Sequence, residues 1–145
     1  AWAVLGHTES IFTEKFQPMD SNESLINKWN RIRDIRDSVN KEIETLRAKG
    51  EVGASLQAEV DLTLNAEDHT LLSSLKEDLK FVMITSSIQL HLGSALKVSP
   101  KTSSHLKCER CWHYQQDVGS HAEHPGLCAR CFSNLFSSGE TRQFA

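Results

Sequence analysis

Four cysteines carry the spacing that points most directly to a chemistry: Cys108-Glu-Arg-Cys111 and Cys128-Ala-Arg-Cys131, a C-x2-C-x16-C-x2-C pattern in a chain of 145 residues. Two residues between thiolates let a tight turn aim both sulfurs at one ion. A second such pair completes a tetrahedron with metal–sulfur distances of about 2.3 Å. Four protein ligands leave no open position, so the pattern predicts one structural Zn2+ and no catalytic metal. A segment of about 40 residues has too little apolar core of its own, so the ion must supply most of its folding energy. A disulfide framework and a redox dithiol compete with this reading. The first is disfavoured because the chain opens Ala-Trp-Ala-Val-Leu-Gly, without the basic start and apolar core of a signal peptide. The second needs one C-x-x-C on a βαβ scaffold, not a matched pair. His113, His121 and His124 are alternative ligands that two intact knuckles make unnecessary.

Around the knuckles lie Arg110, Trp112, His113, Tyr114, Arg130 and Phe132, a mix of cations and rings of the sort that stacks on bases and pairs with phosphates. In the competing reading, Trp112, Tyr114 and Phe132 are the ribbon's small core. Arg110 and Arg130, inside the knuckle turns, are expected to be exposed. The net charge of the chain is -3, so a general basic field for nucleic acid is excluded and any such binding must use a local patch.

The elements that must position these residues follow from periodicity. Leu25, Trp29, Ile32, Ile35, Val39, Ile43 and Leu46 step at the period of one buried helix face, which predicts a helix from Glu23 to Lys49 with a stop at Gly50. Leu56, Ala58, Val60, Leu62 and Leu64 alternate with polar residues, which predicts a half-buried strand. Asn65 opens a second helix with Leu71, Leu72, Leu75 and Leu79 on its inner face, and a second strand is expected over about Phe81 to Ile88. The expected fold class is α+β: a long amphipathic helix packed on a small βαβ unit, followed by a C-terminal four-cysteine zinc ribbon. The Ser-rich stretch from Gly93 to Lys107 reads as a linker between a first unit, 1–92, and the ribbon, 108–145. The segment from Ala1 to Gln17 has apolar residues, Trp2, Ile11, Phe12 and Phe16, but no clear period. The longest charge-free stretch, Phe81 to Leu96, is broken by polar residues and does not read as a membrane span.

Arg36 falls within the apolar arc of the long helix and not opposite it. It pairs with an internal carboxylate, snorkels to the edge of the stripe, or projects into a groove where an anion arrives.

The run Trp29-Asn-Arg-Ile-Arg-Asp-Ile-Arg-Asp-Ser-Val-Asn-Lys-Glu-Ile-Glu-Thr-Leu-Arg47, with Val52-Gly-Ala-Ser-Leu-Gln-Ala-Glu-Val60, resembles the end of the anticodon-binding helical domain of class I aminoacyl-tRNA synthetases. The run Lys107-Cys-Glu-Arg-Cys-Trp-His-Tyr-Gln-Gln-Asp-Val-Gly119, with Cys128-Ala-Arg-Cys131 and Arg142-Gln-Phe-Ala145, is similar to the zinc-ribbon tail of bacterial isoleucyl-tRNA synthetases. The resemblance implies a C-terminal fragment of a cytoplasmic, monomeric, ATP-dependent ligase of protein biosynthesis, whose partners are isoleucine tRNA and the rest of the synthetase. The family's nucleotide-binding signatures, His-Ile-Gly-His and Lys-Met-Ser-Lys-Ser, are missing from this sequence. The fragment is therefore expected to help hold tRNA without catalysing aminoacylation. Arg36 matches an arginine of the family's helix motif near the anticodon side, which makes it a tRNA-binding candidate with Arg110, Trp112, His113, Tyr114 and Arg130.

Two readings from other classes remain. One is a zinc-ribbon module that binds protein or DNA, like the finger of formamidopyrimidine-DNA glycosylases, although no N-terminal proline–glutamate pair is present. The other is a free-standing redox or metal-sensing protein.

Overall fold

A helix must satisfy its first backbone N–H groups, and here Asn22 does so, its side chain accepting from the Leu25 N–H at 3.0 Å. The computed structural model describes residues 4, 6, 10–13, 15 and 20–141. Within them the long helix, α1, runs over Glu23–Ala48 with Arg47 in its last turn, and Gly50 takes the left-handed turn beyond it at φ +75°. Its buried face is Ile32, Ile35, Val39, Ile43 and Leu46. Leu25 is exposed and Trp29 half-buried, so the apolar stripe is covered only from Ile32 onward. Most of the expectations for 1–17 and the ending Arg142 to Ala145 lie outside the described residues; Phe12, which is described, is exposed.

Strand β1, Ala58–Leu64, buries Ala58, Val60, Leu62 and Leu64 and turns Glu59, Asp61 and Thr63 to the other face. Asn65 then caps α2, Ala66–Ser73, by accepting the Asp68 N–H at 2.8 Å. Asp68 is itself buried and takes the Arg31 guanidinium in a fork of 2.7 and 2.6 Å, tying α2 to α1.

Two expectations are corrected beyond this point. The run from Phe81 to Ile88 is not one strand: Leu79–Met83 is a short helix, α3, which buries Leu79 and Met83 one turn apart and stops at Ile84 in the left-handed region. An apolar run of this length fits helix and strand equally, and packing decides between them. The strand, β2, occupies Ser87–Leu92.

The Ser-rich stretch expected as a linker carries a strand, β3, at Lys97–Thr102. The sheet order is β2-β1-β3. β2 runs parallel to β1 from Glu59↔Ser87 to Leu64↔Leu92, and β3 runs antiparallel from Ala58↔Thr102 to Thr63↔Lys97. An edge strand tolerates Pro100 and exposed lysines, and it needs only Val98 against the core, which is why its composition resembles a linker. α1 covers the sheet by packing mainly on β3.

Strand β4, Leu106–Lys107, pairs antiparallel with β5, Tyr114–Gln115, around the first knuckle. Helix α4, Ala129–Phe136, starts at the second. The ribbon docks on the first unit through Ser86, whose Oγ accepts the Tyr114 N–H at 2.6 Å and whose carbonyl accepts Gln115 Nε2 at 2.9 Å. No helix among the described residues is long and apolar enough to cross a membrane.

Candidate metal centre

The first knuckle closes because the Cys108 N–H bonds to the His113 carbonyl at 2.9 Å and the Trp112 N–H to the Cys108 carbonyl at 2.9 Å. The second sits at the start of α4, where Cys128 is the helix's N-cap but makes no side-chain cap. Asp117, eleven residues upstream in the intervening loop, does that work by accepting the Ala129 N–H at 3.1 Å. Cys108, Cys128 and Cys131 are buried and Cys111 half-buried. Val118 and Leu127 pack against them, so the sulfurs are themselves the centre of the ribbon.

All four Sγ atoms lie within 4.8 Å of one another. Cys111 Sγ and Cys128 Sγ are 3.8 Å apart, far beyond a disulfide. A tetrahedron with about 2.3 Å from centre to corner has an edge of about 3.8 Å, so the spacing fits four thiolates on one zinc ion. The electrostatics ask for the same cation. Burial pushes the Cys111 thiol up, but hydrogen bonds from His113 and Arg130 outweigh it and bring the thiol down to about 5. Burial pushes Cys128 well above the ordinary thiol range, and the charge on Cys111 adds to that; Cys131 is raised too, again chiefly by burial. One thiolate thus suppresses its neighbours, a conflict that a divalent ion removes. Cys108, Cys111, Cys128 and Cys131 would hold the ion, which supplies a structural cross-link with no open coordination position.

The other expected residues separate by environment. Trp112 is not core: it is 59% exposed, at φ +65°, with Lys107 Nζ 5.4 Å from its ring centre. Phe132 is packed, its ring stacked on His121 at 3.7 Å and tilted against Phe136 at 5.3 Å. His124 stacks in turn on Phe136 at 4.2 Å, so these histidines are ring partners. His113 is buried and meets Phe81 edge-on at 5.3 Å, which closes it to a large ligand. Tyr114 is half-buried in β5.

Arg110 is exposed, as expected. Arg130 is not: it lies 4.8 Å over the Phe81 ring and donates to Glu140 at 2.8 Å, with its side chain only 20% exposed. Arg36 is carried by α1, outside the ribbon, half-buried and with Nε lacking a hydrogen-bond partner among the described residues. Ser86, Phe81 and Asp117 had no signal in the sequence, because their roles depend on partners 12 to 32 residues away that no local spacing reveals.

The four-cysteine unit docked on the α+β unit is a zinc finger of the ribbon class. Residues 106–134 match the family described as a zinc finger found in FPG and IleRS. Over 92% of its length the chain is 48% identical to the isoleucine–tRNA ligase of Bordetella pertussis, of which it covers 14%. It is 46% identical to that of Thiobacillus denitrificans, with 99% of this chain and 15% of the relative covered. The figures for Azoarcus sp. are 46%, 100% and 16%. Along almost its whole length the chain is thus similar to one stretch of these isoleucine–tRNA ligases, and it spans about one seventh of their length.

Proposed function

We propose that the chain is the C-terminal, tRNA-binding part of an isoleucine–tRNA ligase. In this reading it helps position the anticodon side of isoleucine tRNA in the cytoplasm, while other domains of the synthetase carry out the ATP-dependent reaction. The observation that supports it best is Trp112. A bulky residue at φ +65° stores on the order of 1–3 kcal/mol of backbone strain, which a glycine at the same turn would avoid. The indole recovers none of this by burial, being 59% exposed. Its use is then its open face, a platform for an unpaired base, with the Lys107 ammonium beside the ring and Arg110 in the same knuckle as phosphate partners. Arg130 and His113 are turned inward and leave this surface, so its charge is small. For about two phosphates, raising salt from about 50 to 200 mM should weaken binding on the order of 7-fold.

Trp112→Gly separates fold from function. The variant keeps a backbone that glycine adopts freely, so it should retain zinc and the ribbon's NMR pattern while binding isoleucine tRNA about 10-fold or more weakly in a filter assay. Unchanged tRNA affinity in a zinc-loaded Trp112→Gly protein would refute the reading.

A further inference from the structure

We propose that the residues after Thr141, Arg142-Gln143-Phe144-Ala145, form a strap from the ribbon to the first unit that seats Phe144 in a groove beside the outer edge of β2. The direction is set where the chain leaves α4. It reverses at Gly139, φ +77°, whose N–H bonds back to the Ser133 carbonyl at 3.2 Å. Glu140 is then held on three sides. Its N–H bonds to Asn134 Oδ1 at 2.7 Å, and its Oε1 accepts the Asn134 amide at 2.9 Å and Arg130 Nη1 at 2.8 Å. Thr141 thereby reaches the first unit, where it lines a cleft with Leu75, Lys76, Glu77 and Asp78. The four residues that follow lie outside the described ones, and extended they span about 13–14 Å.

Lys76 and Glu77 also line a second groove, of about 520 Å³, so the two adjoin. Its floor is Leu72, Leu79, Ile88 and Leu90, and Lys80 stands on its wall. The strand along it needs a cover. Of the two edge strands, β3 is blunted by Pro100, Lys97 and Lys101, whereas β2, Ser-Ile-Gln-Leu-His-Leu, has no proline and no lysine. Alternate residues of a paired strand turn their backbone N–H and C=O groups away from the partner, and no other backbone among the described residues bonds to those of β2. Side chains alternate along an extended tail, so Arg142 and Phe144 face the same way. Arg142 then meets Glu77 and Asp78 at the mouth, and Phe144 lies beyond it on the apolar floor. Lys76 and Lys80 suit an aromatic occupant, their stems extending the apolar wall and their ammonium groups flanking the ring. The strap gives the ribbon a second tie to the first unit besides Ser86.

The test uses the zinc-loaded chain of 145 residues, methyl-labelled at isoleucine and leucine for NMR. Nuclear Overhauser contacts should join the Phe144 ring to methyl groups of Ile88 and Leu90. Phe144→Ala should move those methyl resonances and speed amide exchange in β2 roughly 10-fold, the effect of uncovering part of one phenylalanine, with zinc content unchanged. The mouth is tested by a charge swap between Arg142 and the exposed Glu77. Arg142→Glu and Glu77→Arg should each speed exchange in β2, and the double variant should recover at least half of the lost protection, which a purely structural role for either residue would not give. Ring contacts that run elsewhere, or a double variant without recovery, overturn the strap. So does β2 protection that rises with protein concentration and survives Phe144→Ala, because a second copy of the chain then covers the edge.

Discussion

Replacing Ser86 by alanine should loosen the ribbon from the sheet, and the cost can be worked from two hydrogen bonds. The Ser86 hydroxyl donates to the Leu56 carbonyl and accepts the Tyr114 N–H at 2.6 Å, from a residue only 2% exposed. Alanine removes both at once, and the backbone bonds of residue 86, its N–H to the Ala58 carbonyl at 2.9 Å and its carbonyl from Gln115 at 2.9 Å, remain. A stranded buried polar group costs about 1–3 kcal/mol. Leu56 and Tyr114 are half-buried, so water recovers part of this and a total of about 2–3 kcal/mol is reasonable. That corresponds to roughly 30- to 140-fold in an opening equilibrium. The direct assay is amide hydrogen exchange of Tyr114 in zinc-loaded protein, because that N–H is the one losing its acceptor. Thr85 is the internal control: it is fully buried, next in sequence, and its Oγ1 has no hydrogen-bond partner among the described residues, so Thr85→Val should be neutral or stabilising by up to about 1 kcal/mol. Tyr114 protection within threefold of the parent in Ser86→Ala, or an equal loss in Thr85→Val, would refute the reasoning.

Strong chelation or Cys108→Ser should unfold residues beyond about Lys107 and leave α1 and the sheet folded, because the ribbon's centre is its sulfurs whereas the first unit has its own apolar core; a persisting ribbon NMR pattern in metal-free protein counts against this. The Arg31–Asp68 fork should dominate the acid limb of the first unit's stability. The hydrogen bond from Arg31 holds the Asp68 carboxyl below its usual range, against burial. Its contribution is therefore complete above the unfolded value of about 3.9 and is lost as pH falls through the folded value. Asp68→Asn should flatten urea midpoints between about pH 5 and 2 when read on α1 helicity. Arg31→Ala should cost about 1–3 kcal/mol near pH 7 by leaving that carboxylate buried alone; midpoints that keep the parent's pH slope in Asp68→Asn argue against the assignment.

Local spacing carried a great deal in this chain. The Cys108 to Cys131 pattern, the stripe from Ile32 to Leu46, the alternation of β1 and the Asn65 helix start are all patterns of one, two or a few residues. Helices, strands and knuckles are built on such intervals, so these features follow from sequence alone. What the tertiary structure decided concerns partners far apart. Strand β3 looks like a linker because an edge strand needs one apolar contact, and only its register on β1 gives the Lys97 to Thr102 stretch a place. The Phe81 run became helix because Leu79 and Met83 found the core together. For Trp112 the sequence left core and open platform both standing, and for Arg130 it predicted exposure; in the fold the ring faces solvent and the cation turns in to Phe81 and Glu140. The reason is the ribbon's docking on Phe81 and Ser86, some 30 to 50 residues earlier in the chain. Composition and period report which faces are apolar. Which face meets which depends on contacts between residues distant in sequence, and those exist only once the chain has folded.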